Sequence, residues 1–249
     1  MFRFAQSFLA LLSVVAAISA GAAEENETKA ALAHSQQLLL VTAGGWDNDH
    51  GTLTLWERAP GGRWRRVAEE MPVMLGRNGL AWGIGLHAQR PTKREGDGRA
   101  PAGLFELDRI YGRDAAAPSA HFPYTQMSEL MLGIDDSQSR SYNRLLDGAQ
   151  VPAAARDWKR AEKLRAANPM FRWCVTVKHN WEQRPAMGSC IYLHIWKAPG
   201  VATAGCTAMA TESLARVVHW LDARKRPLLL QGPRDVPGLR GFIAEIEGR

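Results

Sequence analysis

The chain has 249 residues, 46% of them hydrophobic and 22% charged, a composition that excludes disorder and supplies a core without any disulfide framework. Its 31 Lys+Arg against 25 Asp+Glu give a net charge of +6, scattered without a basic run of five, so a nucleic-acid surface is not expected. Three cysteines leave at least one thiol outside any intramolecular pair.

Residues Met1–Ala23 read as a signal peptide. Arg3 is the positive start, Phe8–Ile18 is apolar except for Ser13, and Ala20-Gly21-Ala22 is a small-x-small cleavage site, with Ala23 as a second choice. The apolar run falls short of the roughly 20 residues that span a bilayer, and no later stretch is long and apolar enough. A periplasmic or secreted protein with no transmembrane segment is therefore expected, with its thiols in an oxidising compartment.

Residues 24–36 read as a flexible polar leader, 37–232 as one domain, and 233–249 as a tail. Within the domain, Leu38–Thr42 is an apolar run, Thr52–Glu57 alternates with period two, and Trp64–Val67 follows the Pro60-Gly61-Gly62 turn. Pro72–Leu75, Leu104–Leu107, Trp173–Val177, Cys190–Ile195 and Leu228–Leu230 are further strands. Two helices are expected. Pro152–Ala167 has strong helix formers behind an N-terminal proline, and Thr211–Arg224 carries Leu214, Val217, Val218 and Leu221 on one stripe, with Thr211 as its N-cap. The fold class is mainly β: a single sandwich or barrel with a few peripheral helices. The nine tryptophans are assigned to core packing, and His87, His179 and His219 to ordinary structural positions.

Chemistry concentrates in residues 188–209, GSCIYLHIWKAPGVATAGCTAM. The Cys190–Ile195 strand delivers His194 near its end. Cys206 follows Gly205 shortly before a helix, where free backbone N–H groups favour a thiolate and an oxyanion. The intervening loop is long enough to bring imidazole and thiol together for acyl transfer, with Cys206 as nucleophile and His194 as base. On the residues alone, His194 as an ordinary strand residue with Cys206 as a small buried hydrophobe stays open. So does a zinc site of Cys190, His194 and Cys206, although no CxxC or HxxxH pair supports it.

The GSCIYLH and TAGCTAM segments resemble the active-site motif of the YkuD-type L,D-transpeptidase family. The likeness extends to GRNGLAWG at residues 76–83, KREGDGRAPAGLF at 93–105 and Ser141-Tyr142-Asn143-Arg144, and it covers about Leu38 to Leu230. It implies a β-rich, cofactor-free domain exported to the cell wall and acting on peptidoglycan stem peptides. In it Cys206 forms a thioester, His194 is the base, and the backbone of Gly205, Cys206 and Thr207 forms the oxyanion hole. Thr203, Tyr142 and Asn143 are candidate substrate contacts; for Tyr142 and Asn143 the competing account is exposed loop positions. Asp97 is expected to brace its own turn, and Gly98, Pro101 and Gly103 to serve backbone geometry.

The chain departs from the family pattern at Ala204 and Ala208, where polar residues are common, and at Cys190 and Thr207. The two alanines keep a hydrolase reading open, an L,D-carboxypeptidase or endopeptidase, and an inactive wall-binding module is a third reading. A bridge between Cys174 and Cys190, leaving Cys206 free, would reconcile the odd thiol count.

Overall fold

A computed structural model describes residues 29–87, 91–164, 168–236 and 239–248; the expected signal peptide lies outside the described residues. The strands are β1 (Gln37–Ala43), β2 (His50–Glu57), β3 (Arg65–Arg66), β4 (Met71–Met74), β5 (Leu80–Trp82), β6 (Ala100–Gly112), β7 (Tyr124–Gln126), β8 (Met131–Gly133), β9 (Leu145–Asp147), β10 (Glu162–Lys163), β11 (Trp173–Val177), β12 (Tyr192–Ile195), β13 (Thr207–Met209) and β14 (Leu228–Pro233). The helices are α1 (residues 29–34), α2 (Thr211–Trp220) and α3 (Arg240–Glu247).

Eight strands close a barrel in the order β1, β14, β6, β11, β12, β13, β4, β2, with β2 returning to β1. The expected mainly-β, barrel-like class is what the chain adopts. The run Leu38-Leu39-Leu40-Val41 is apolar at every position because β1 is covered on both sides. Leu39 and Val41 join the inner cluster with Leu53, Phe105, Val175, Leu193 and Leu229. Leu38 and Leu40 join an outer cluster with Leu104, Leu228 and Leu230. Helix α2 adds its stripe of Leu214, Val217 and Val218 to the inner cluster.

Several sequence expectations change. Residues 29–36 are not leader: α1 places Leu32 in the outer cluster, and Ser35 is buried. The stretch after Pro233 is not a loose tail, because Leu239, Ile243 and Ile246 of the α3 region pack on the same cluster. Residues 152–167 are not a helix. A 3-10 turn at Ala153–Ala155 and the short strand β10 stand there instead, with 165–167 outside the described residues. A helix that is polar all round has no face to bury. Its polar groups serve the neighbouring loops: Asp157 accepts from Ser139 and Arg140, and the Lys159 N–H donates to Asp136. Helix α2 ends earlier than expected, at Trp220, and its N-cap is Ala210, with Thr211 as the first helical residue.

The long excursion between β7 and β11 folds into a second sheet of order β10-β8-β9. Met127, Met131 and Leu164 of this cap lie over Cys174, Cys190 and Tyr192 on the outside of the barrel. The candidate functional residues Cys206 and His194 sit at this seam.

Candidate active site

Strand alternation sets the first placement. Leu193 and Ile195 point into the barrel, so Tyr192 and His194 point outward toward the cap. His194 lies opposite Cys174 on β11 and Ala208 on β13. Its ring is 8% exposed and sits 5.3 Å from the ring of Phe171. Nδ1–H donates to the Ile195 carbonyl at 2.8 Å, which fixes the tautomer and leaves Nε2 as the basic nitrogen. Burial lowers its pKa, so the imidazole is neutral at pH 7.

Cys206 precedes β13 on a turn whose shape comes from Thr203. The Thr203 hydroxyl donates to the Cys206 carbonyl at 2.7 Å and accepts the Gly205 N–H at 3.0 Å. The turn rests on the two upstream motifs. The Arg77 N–H donates to Thr203 O at 2.9 Å, and the Thr203 N–H donates to Leu75 O at 2.8 Å. Gly76 has to be glycine there, because a Cβ would lie 2.4 Å from the Gly98 carbonyl. Gly205 (φ 157°) lies against the 93–100 loop, where a Cβ would stand 3.0 Å from Arg99 O. Asp97 braces that loop as expected: it accepts from the Arg94 and Arg99 N–H groups and pairs with buried Lys93 at 2.6 Å. Burial pushes the Asp97 carboxyl up, but these donors hold it below its ordinary value.

The thiol has two backbone partners. The Tyr192 N–H donates to Sγ at 3.3 Å, and the thiol donates to the Cys190 carbonyl at 3.4 Å. Burial, then the Glu162 carboxylate, raises the Cys206 pKa, so the resting sulfur is protonated. Glu162 is open to solvent on one side but desolvated on the cleft side, where burial and Asp135 push it up to about 7. Cys206, His194, Glu162, Asp135, Lys93 and Thr203 face one cleft of about 510 Å³ between barrel and cap. Among the described residues no hydrogen bond joins the thiol to the imidazole, a separation that resting catalytic pairs often show until substrate arrives.

The other expected residues divide. The Gly205 N–H is taken by Thr203, whereas the Cys206 N–H has no protein partner among the described residues and stands beside its own sulfur. The Thr207 side chain turns into the barrel, where its hydroxyl donates to Gln231 Oε1 at 2.7 Å. Tyr142 is not an exposed loop residue: it is 1% exposed, and its hydroxyl donates to Glu95. Asn143 spends its amide on the backbone of 179, 180 and 190. Neither lines the cleft. All three cysteines are free, so Cys174 and Cys190 do not pair; Cys174 lies opposite His194, which is four residues after Cys190 in the chain. Sequence reasoning did not find Glu162 and Asp135, because only the folding of the cap brings them to the thiol.

Comparison with protein families matches residues 53–230 to YkuD, the L,D-transpeptidase catalytic domain. The chain belongs to the YkuD family. Comparison with curated proteins and with solved structures found no match. Membership in the L,D-transpeptidase family makes peptidoglycan the class of material its fold is associated with. No helix among the described residues is long and apolar enough to cross a membrane.

Proposed function

We propose that this YkuD-family protein is an exported cysteine L,D-transpeptidase acting on peptidoglycan stem tetrapeptides. The supporting observation is Cys206 and His194 facing one cleft, with an unpartnered N–H beside the sulfur. Neutral His194 takes the thiol proton at Nε2. Sγ attacks the carbonyl of the third, L-centre residue, and the oxyanion meets the Cys206 N–H. The imidazolium returns its proton to the departing D-amino acid, leaving a thioester. An acceptor amine then gives a proton to His194, attacks the thioester and regenerates the thiol.

Hydrolysis is the second reading, favoured by Ala204 and Ala208, which remove two polar side chains that could orient an amine. The test incubates the protein with tetrapeptide muropeptides, with and without a D-amino acid, and reads products by mass spectrometry. Dimers or exchanged tetrapeptides support transfer; tripeptides alone support hydrolysis. No turnover, with wall binding unchanged in Cys206→Ala, supports a binding module. A covalent acyl adduct that persists in Cys206→Ala places the nucleophile elsewhere.

A further inference from the structure

Asn143 touches neither the cleft nor the thiol, yet it holds the segment that does. Its Nδ2 donates to His179 O at 2.9 Å and Asn180 O at 2.8 Å, and its Oδ1 accepts the Cys190 N–H at 2.9 Å. The amide has two donors, and both are used. Asn143 itself is left-handed (φ 60°), a conformation asparagine tolerates better than most residues.

Cys190 is also left-handed (φ 57°), and for a residue with a Cβ that conformation persists only when the surroundings impose it. The kink aims two groups at one sulfur: the Cys190 carbonyl accepts from the Cys206 thiol, and two residues on the Tyr192 N–H donates to it. The first favours the thiol and the second the thiolate, so the kink sets how readily the sulfur ionises. The residue before each partner is held as well. Glu95 accepts both the Tyr142 hydroxyl and, at 2.8 Å, the Ser189 hydroxyl. Adjacent residues of the cap, 142 and 143, thus hold adjacent residues just before β12, 189 through Glu95 and 190 directly.

We propose that Asn143 is a positioning residue for the Cys206 nucleophile, acting through the backbone of Cys190. This rests on the reading of Cys206 as the nucleophile. The charged and titratable groups facing the sulfur or its cleft are Glu162 from β10, Lys93 and Glu95 from the loop before β6, Asp135 after β8, His194 from β12, Cys190 before β12 and Cys174 from β11; Asn143→Gly alters none of them, and the double variant also removes the Cys190 thiol, so Cys190→Gly alone serves as its reference.

The test compares the mature protein with Asn143→Gly, which keeps the left-handed backbone and removes all three bonds, and with Asn143→Gly/Cys190→Gly, in which glycine adopts the kink unaided. Three quantities are read: the pH midpoint of Cys206 alkylation, kcat on tetrapeptide, and Tm. Asn143→Gly is expected to shift the alkylation midpoint and lower kcat about tenfold or more with KM little changed. The double variant is expected to recover most of both while its Tm stays low. A merely structural Asn143 would move Tm alone. The proposal is overturned if folded Asn143→Gly keeps the wild-type midpoint and kcat, or if Cys190→Gly restores neither. Should Asn143→Gly not fold, Asn143→Asp keeps the acceptor for the Cys190 N–H and loses donors: reduced Tm with retained kcat supports the proposal, and a parallel loss of kcat overturns it. Cys206→Ala separates the two levels. Turnover in that variant sinks the nucleophile reading, whereas an inert Cys206→Ala beside an unaffected Asn143→Gly sinks only the positioning role.

Discussion

Replacing Thr203 by valine removes one hydroxyl and keeps the shape of the side chain. That hydroxyl makes two bonds, to the Cys206 carbonyl at 2.7 Å and from the Gly205 N–H at 3.0 Å. Each is worth about 1 kcal/mol net, and leaving the partner in buried Gly205 unpaired adds about 1–2 kcal/mol, for a total of about 3–4 kcal/mol. A domain of this size loses about 2–4 °C of Tm per kcal/mol, so the expected drop is about 6–16 °C. The same bonds orient the Cys206 N–H, so kcat/KM on tetrapeptide is expected to fall with it. Thr203→Ser retains the hydroxyl and should sit within about 1 kcal/mol of wild type. Circular dichroism melts and muropeptide turnover on the three proteins decide the matter. A valine variant melting within about 2 °C of wild type, or a serine variant as impaired as valine, would refute the argument that this hydroxyl builds the nucleophile's turn.

Glu162→Gln removes the carboxylate that raises the Cys206 pKa, so the pH midpoint of iodoacetamide alkylation should move down; an unchanged or raised midpoint contradicts the electrostatic account. Buried His179 accepts the Ile84 N–H at Nδ1, donates from Nε2 to Met187 O, and is pushed down to about 3 by burial. Between pH 6.5 and 3 the unfolded chain therefore binds a proton that the folded one refuses, and stability falls as pH falls, on the order of 5 kcal/mol by the lower limit. Nitrogen-15 NMR should find this ring neutral and protonated at Nε2 at pH 5, and a charged ring there would reverse the sign. Thr207→Val strands Gln231 Oε1 in the barrel at about 1–3 kcal/mol, and Thr207→Val/Gln231→Leu should recover part of the loss in urea melts. Thiol titration of unfolded protein without reductant should count three groups; a count of one would restore the Cys174–Cys190 bridge.

The barrel strands were legible because burial on both faces writes itself as uninterrupted apolar runs, in Leu38–Val41 and again in Leu228–Leu230. The turn at Asp97 was legible because a short acceptor between glycines bonds its own neighbours. The two candidate catalytic residues, His194 and Cys206, were singled out by type and spacing around a strand and a Gly-Cys turn, and the family resemblance chose among the readings. The cap was not legible. Its strands span two or three residues each, too few for any period, and propensity at 152–167 pointed to a helix that no apolar stripe supported. Tyr142 and Asn143 were misplaced for a related reason: an exposed loop and a buried clamp share the same polar letters, and only the fold tells which groups they meet.

The barrel also sets the order in which the chain can finish folding. Its seam pairs β1 with β14 in parallel, Leu38 beside Leu228, so the first barrel strand waits for the last. Until β14 arrives, β1 and residues 103–106 of β6 each present an unpaired apolar edge, the kind that recruits other chains. So distant a closure predicts slow folding. A chain cut before Leu228 would keep both the His194 strand and the Cys206 turn and still leave them on an open sheet, so the final strand acts as the lock on a site to which it contributes no reacting atom.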